Sequence, residues 1–163
     1  MHRIAWNDAD PPADDQLIPV HRSGGFALFA WPTRAGRLCW GEIAVATVTS
    51  GCVAAKDLPT GPEQRTLHGP VLVTDSEALT VLFADREQLT AASCNGTRFA
   101  LTEVGRTPLA DGVRRYYALV TPWVPYGDVP LEVRRPEGAA VERMWTETSD
   151  WVPHDDPRYR KCG

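Results

Sequence analysis

Apolar residues occur along the chain in short runs, which are separated by residues that favour turns. Eight runs have the composition of β-strands: Phe26–Trp31, Arg37–Ala46, Gln64–Val73, Leu79–Phe83, Leu89–Cys94, Arg98–Val104, Val113–Thr121 and Val129–Arg135. Short strands between glycine, proline and asparagine turns favour an antiparallel sandwich or barrel over alternating strands and helices. We therefore predict a mainly β fold, a single-domain β-sandwich that is immunoglobulin-like or related.

Two short segments between the runs are expected to form turns. Asn95-Gly96 lies between two of the runs and suits a tight hairpin turn, because both residue types tolerate positive φ. The same Asn95-Gly96-Thr97 tripeptide matches an N-glycosylation acceptor, but the turn is the preferred interpretation. Asp85–Gln88 has the composition of a helix N-terminus, yet too few residues follow it, and a turn between strands is expected.

The segment Ala139–Thr148 is ambiguous. Val141, Met144, Trp145 and Thr148 have the spacing of one helix face, which predicts a short C-terminal helix. Pro136-Glu137-Gly138 instead has the composition of a hairpin turn after the preceding strand, which predicts a further strand. Both alternatives are compatible with the sequence.

The chain shows no internal repeat and no linker long enough to divide it. Residues 1–20 are expected to be a peripheral N-terminal segment, residues 21–151 the β-sandwich domain, and residues 152–163 a peripheral tail rich in Asp, Pro and Arg.

Composition and charge exclude several classes of protein. With 43% hydrophobic and 23% charged residues, the chain has the composition of a globular protein. Its formal net charge of −4 argues against general nucleic-acid binding, which requires a basic surface. No apolar run reaches the roughly 18–20 residues of a membrane helix, and the N-terminus lacks the apolar centre of a signal peptide. Any membrane contact is expected through an anchor outside this chain.

The four cysteines bear on the cellular compartment. Cys39 and Cys52 lie at the two ends of a segment that can turn back on itself, which would bring their side chains together across neighbouring strands. We predict a disulfide bond between them; the alternative is two buried free thiols in a cytosolic protein. Cys94 and Cys162 remain for a second bond, although four cysteines allow three connectivities and the sequence does not choose among them. Their spacing does not match a zinc site.

A family resemblance includes Cys39 and Cys52. The apolar run Gly25–Trp31 leads to Gly36-Arg37-Leu38-Cys39, and Gly51-Cys52 follows. This pattern resembles the extracytoplasmic domains of actinobacterial membrane proteins and lipoproteins, with further similarity in the strands between residues 68 and 101. The resemblance covers residues 17 to about 135. It implies a β-sandwich at the cell surface and carries no catalytic residues.

Tryptophans are the strongest candidates for binding. The chain has six, of which Trp31, Trp40 and Trp123 are expected in the core. Trp145 and Trp151 lie in a polar C-terminal segment, where large apolar side chains either cover an edge of the sheet or bind a ligand or partner. We predict that these two bind.

The sequence contains no catalytic signature. No serine lies in Gly-x-Ser-x-Gly, and no His, Cys or acidic cluster has the spacing of a metal site, so neither catalytic residues nor a metal or cofactor is expected. We predict a non-catalytic extracytoplasmic binding or sensing module of a bacterial cell-surface protein, with an unknown protein or cell-surface ligand as its partner. The alternatives are a secreted hydrolase built on a β-sandwich, a structural domain of a surface or phage-like assembly, and, for the compartment, the cytoplasm.

Overall fold

The computed structural model describes residues 11–13, 16–58, 65–146 and 155–163 of the chain. Twelve β-strands account for most of these residues, and Ala55–Asp57 forms a 3-10 turn. The strands form two sheets in which neighbouring strands are antiparallel, apart from one parallel pair. The prediction of a mainly β fold is confirmed.

The first sheet has four strands in chain order: β1 (Ile18–Ser23), β2 (Phe26–Pro32), β3 (Arg37–Ala44) and β4 (Thr47–Ala54). Phe26, Leu28 and Ala30 of β2 are buried in alternation, because successive side chains of a strand point to opposite faces of the sheet, and Trp31 is buried as well. The turn between β3 and β4 contains Val45, a non-glycine residue with a φ of +43°. The first four residues of β4 are exposed, so this hairpin projects into solvent.

The second sheet has eight strands, and their order differs from the chain order. The strands are β5 (Thr66–Thr74), β6 (Glu77–Ala84), β7 (Gln88–Cys94), β8 (Thr97–Leu109), β9 (Gly112–Thr121), β10 (Val124–Arg135), β11 (Gly138–Thr146) and β12 (Tyr159–Cys162). Their spatial order is β11-β10-β7-β8-β9-β6-β5. β12 lies parallel to the first part of β10, from Val124 to Gly127.

The core of the second sheet contains side chains from strands near both ends of the sheet. Leu82 of β6 and Leu119 of β9 belong to the same buried cluster as Leu131 of β10 and Met144 of β11. Thr66 Oγ1 of β5 also lies 3.7 Å from Met144 Sδ, so strands from opposite ends of the order meet. The sheet therefore curls around one core.

The chain divides into two compact units, Met1–Leu58 and Pro59–Gly163. This division lies inside the predicted domain of residues 21–151. Both units are β-rich, and the Pro59–Pro62 segment between them has the composition of an ordinary turn. The sequence therefore shows no change of hydrophobic pattern or of composition that would mark the boundary between the two units.

The eight apolar runs correspond to eight of the twelve strands, and β1, β4, β11 and β12 lie outside those runs. Half of β1 lies within the segment expected to be peripheral, β4 follows the predicted run Arg37–Ala46, and β12 forms within the predicted tail. Residues 138–146 form strand β11 and not the alternative helix. The expected turns are present at Asp85–Glu87 and at Asn95-Gly96, where φ is +48° and +80°.

The three tryptophans expected in the core differ in burial. Trp31 is buried, with 4% of its surface exposed. Trp40 is half-buried and lies over its cross-strand neighbour Gly51, where a Cβ would come within 2.7 Å of Trp40 Cζ2. Trp123 is also half-buried, with its ring against the edge of Phe99 and beneath the guanidinium of Arg160. The expectation that Trp40 and Trp123 lie in the core is therefore wrong, since their side chains are only half-buried.

Candidate functional site

Trp145 lies on the outer side of β11, and 58% of its surface is exposed. Its neighbours Met144 and Thr146 are buried, because side chains alternate between the two faces of a strand. Trp151, the second predicted binding residue, lies outside the described residues. The structure therefore describes one of the two residues, and it places that one in solvent on a regular strand.

The surface around Trp145 is formed by two adjacent strands in continuous register. The register pairs Asp128 with Trp145, Pro130 with Arg143, Glu132 with Val141, and Arg134 with Ala139. Directly opposed residues of antiparallel strands point to the same side of the sheet. We call this surface the β10–β11 outer face; it consists of Asp128, Pro130, Glu132, Arg134, Ala139, Val141, Arg143 and Trp145.

Two charges of the β10–β11 outer face that lie beside Trp145 neutralise each other. Arg143 forms an ion pair with Asp128, which is the cross-strand neighbour of Trp145. The two charged side chains and the indole ring therefore share one end of the face. Such a combination of an aromatic surface with flanking hydrogen-bonding groups is typical of recognition sites.

A second carboxylate of the same face, that of Glu132, is neutralised by Arg98 of β8. Glu132 accepts hydrogen bonds from Arg98 Nε at 2.7 Å and from Arg98 Nη2 at 2.8 Å, and Thr90 Oγ1 donates to it at 3.3 Å. The hydrogen bonds and charge of Arg98 hold the pKa of Glu132 below its usual value. Glu132 is therefore ionised at neutral pH, with its charge balanced by Arg98.

Arg134 is the exception in this arrangement. It is exposed, and it forms no ion pair with any residue that the structure describes. Arg134 also lines a shallow depression of about 350 Å³, together with Glu132, Ala139 and Val141. Within the described part of the chain, the β10–β11 outer face thus offers a positive charge without an ion-pair partner beside an apolar surface.

Val141 extends the apolar surface of this face. It is 68% exposed, and it lies four residues before Trp145 on the same side of β11. At about 3.3 Å per residue, the two side chains are roughly 13 Å apart along the strand. The site is therefore elongated, with Trp145 at one end and the depression beside Arg134 at the other.

A larger cleft lies elsewhere in the second sheet. It has a volume of about 460 Å³ and is lined by Arg65, Phe83, Asp85, Arg86, Glu87, Leu109 and Asp111. Its charged side chains are paired. Arg65 binds both Glu87 and Glu142, and Arg86 binds Asp111 at 2.5 Å. Asp85 accepts two hydrogen bonds from Arg114, at 2.6 and 2.8 Å.

The ion pairs of this cleft fit a structural role. Arg65 precedes β5, and Glu142 belongs to β11, so their contact at 3.0 Å joins opposite ends of the strand order. Burial raises the pKa of Glu87, but the hydrogen bond and charge of Arg65 outweigh it, and the pKa lies below its usual value. A carboxylate that is ionised and already paired is a poor general base near neutral pH.

The described residues offer no arrangement for metal binding. No group of three His, Cys, Asp or Glu side chains within them is placed to hold a metal ion. No helix in the same part of the chain is long and apolar enough to cross a membrane.

Both cysteine pairs named in the sequence analysis are within bonding distance. The S–S distance is 2.01 Å between Cys39 and Cys52, and 2.05 Å between Cys94 and Cys162. No cysteine is free. The prediction of disulfide bonding is confirmed, and the cysteines offer no thiolate for nucleophilic chemistry.

Sequence reasoning found Trp145 but missed Arg134 and Val141 as members of the same surface. The signal that could have found them is the alternation of Val141, Arg143 and Trp145 with Glu142 and Met144. This alternation predicts a strand with an exposed face. The helical interpretation of the segment grouped Met144 with Trp145, although the two side chains point to opposite faces of the sheet.

Comparison with known proteins adds no relative. No family model matches the chain, and no match is found among curated proteins or solved structures. The resemblance to actinobacterial extracytoplasmic domains therefore stays a prediction.

Proposed function

We propose that the protein is a non-catalytic, extracytoplasmic binding module that captures a protein or another cell-surface ligand on its β10–β11 outer face. The observation that carries this proposal is the position of Trp145. It is a large apolar side chain with 58% of its surface exposed, and it is held on a strand whose adjacent residues are buried. Tryptophan is enriched among the residues that dominate binding energy at interfaces.

The rigidity of the site supports this role. β11 pairs with β10 over nine residues without a register shift, and Met144 anchors the strand in the core. A tryptophan has few rotatable bonds, so that its immobilisation in a complex costs little conformational entropy. The surface around Trp145 is therefore prepared for binding before a ligand arrives.

The extracytoplasmic location is supported by the two disulfide bonds. Structural disulfides persist in oxidising compartments and are rare in the cytosol, where thiols are kept reduced. The resemblance to actinobacterial cell-surface domains points to the same compartment. A cell-surface protein encounters ligands on its exposed faces, which agrees with a binding site on a sheet surface.

Substitution of Trp145 tests the proposal. We expect Trp145→Ala to change the melting temperature by no more than about 2 °C, because exposed side chains contribute little to stability. The same substitution should abolish binding of the labelled protein to washed actinobacterial cell envelopes. Val48→Ala is a matched control, since Val48 is 60% exposed on the other sheet, and it should leave envelope binding unchanged.

Two results would contradict this function. A fall in the melting temperature of many degrees for Trp145→Ala would show that the ring supports the fold. Unchanged envelope binding by the same variant would show that the β10–β11 outer face is not the binding surface.

A further inference from the structure

Among the described residues, β11 has one paired edge and one edge with no strand partner. β11 pairs with β10 from Gly138 to Thr146, and no other described strand pairs with it. The backbone N–H and C=O groups along the free edge of a strand are a template for a further strand. The β10–β11 outer face thus ends at an edge that can accept hydrogen bonds from, and donate them to, an added chain.

The opposite end of the same sheet is protected against such pairing. β5 contains Pro70, which has no N–H to donate, and its register with β6 shifts at three places. Proline and irregular register are common ways of blunting an edge. β11 contains no proline and no lysine, and its register with β10 is unbroken. The inward-pointing charge of β11, Glu142, is neutralised by Arg65 and Arg135, so β5 is the irregular edge and β11 the regular one.

Charge indicates which kind of chain fits this edge. Within the described part of the β10–β11 outer face, Asp128 is paired with Arg143 and Glu132 with Arg98, whereas Arg134 is unpaired. A bound chain that carries a carboxylate would balance this charge. Lysine or arginine side chains at the same place would be repelled.

The geometry allows a carboxylate on an added strand to reach Arg134. Adjacent strands lie about 4.8 Å apart, so the added strand would be roughly 10 Å from β10. Ala139 faces Arg134 on β11 and has a small side chain, which leaves the space between them open. A glutamate on the added strand and the long side chain of Arg134 can meet across Ala139.

We infer that the ligand of the β10–β11 outer face is an extended, acidic polypeptide segment that adds as a strand to the free edge of β11. Its backbone pairs with β11. Alternate apolar side chains contact Val141 and Trp145, and a carboxylate side chain binds Arg134. This inference rests on the proposed function and specifies the chemistry of its ligand, which is a peptide and not a carbohydrate.

Selection from a peptide library tests the inference. The probe is a displayed library of random peptides of nine residues, the length of β11, selected on the immobilised full chain. We expect enriched peptides to combine alternating apolar residues with glutamate or aspartate. Replacing the acidic residue by lysine should weaken binding by at least about tenfold, and N-methylation of alternate backbone nitrogens along one edge should abolish it.

Charge reversal provides an independent readout. Arg134→Glu should lose the acidic peptides and bind their lysine counterparts, with an unchanged melting temperature because Arg134 is exposed. Arg22→Glu is the matched control: Arg22 is an exposed arginine on β1, the net charge changes equally, and peptide binding should not change.

The possible failures are distinguishable. Failure to select any peptide, no enrichment of acidic residues, or binding that tolerates N-methylation would overturn strand addition. If Trp145→Ala nevertheless abolishes envelope binding, the proposed function stands and the ligand has another chemistry. If Trp145→Ala leaves envelope binding intact, the proposed function itself fails.

Discussion

The disulfide Cys39–Cys52 links two strands of one hairpin, whereas Cys94–Cys162 links two strands that do not pair with each other. The first pair is separated by 13 positions in the sequence and the second by 68. Cys39 and Cys52 are direct cross-strand partners of β3 and β4. Cys94 ends β7 and Cys162 ends β12, and both of these strands pair with β10.

The difference shows that the contribution of each bond depends on what else holds the same segment. The hairpin of β3 and β4 has eight consecutive register pairs, seven of them in addition to the disulfide-bonded pair. β12 has four residues, it pairs with β10 and with no other described strand, and Cys162 is its one buried residue. The C-terminal strand therefore depends on its disulfide far more than the hairpin does.

Removing Cys94–Cys162 should have the largest effect. In the loop-entropy model, a disulfide that closes a loop of this length stabilises a protein by about 4 kcal/mol. We expect the double substitution of Cys94 and Cys162 by alanine to lower the free energy of unfolding by this amount, as measured by urea titration. Hydrogen exchange should also become fast at the amide of Val124, which donates to Arg158 at 2.7 Å.

This prediction has an internal control. The Cys94→Ala single variant frees Cys162 without the second substitution, and it should reproduce most of the loss. A double variant as stable as the unsubstituted protein would show that pairing of β12 with β10 is sufficient to hold the tail.

Removing Cys39–Cys52 should have a smaller effect, because the loop is shorter. The same model predicts a loss of about 3 kcal/mol for the double substitution by alanine. Urea titration of both double variants under identical conditions measures the difference directly. The comparison of the two bonds would be reversed if the hairpin variant were the less stable one.

The strands that were predictable from sequence are those with continuous apolar or alternating patterns. β6, β7, β9 and β10 supply much of the core of the second unit, and the apolar runs predicted all four. β4 and β12 were missed for a physical reason. β4 begins with four exposed residues, and β12 buries Cys162 alone, so that backbone pairing defines both strands without a buried face.

The candidate site was predictable in part. The exposure of Trp145 followed from its polar neighbours in the sequence. Its grouping with Arg134 did not, because it depends on the register that pairs Arg134 with Ala139 and Asp128 with Trp145. Register is determined by the turn and by packing across the sheet, and neither can be derived from the composition of one segment.

The smallest effect concerns the turn of the disulfide-bonded hairpin. Val45 has a φ of +43°, and 93% of its surface is exposed. A β-branched residue is strained in this region, at a cost of about 1–2 kcal/mol, whereas glycine adopts it freely. Glycine in turn raises the entropy of the unfolded chain, which offsets part of the gain.

We therefore expect Val45→Gly to stabilise the protein by about 0.5 kcal/mol, visible as a rise of 1–2 °C in the melting temperature. Val48→Gly makes the same chemical change three residues later, inside β4, where φ is negative. That variant should be destabilised, because glycine weakens the interior of a strand. Equal losses of stability in both variants would show that the turn gains nothing from glycine. Val45 would then not be strained in this turn.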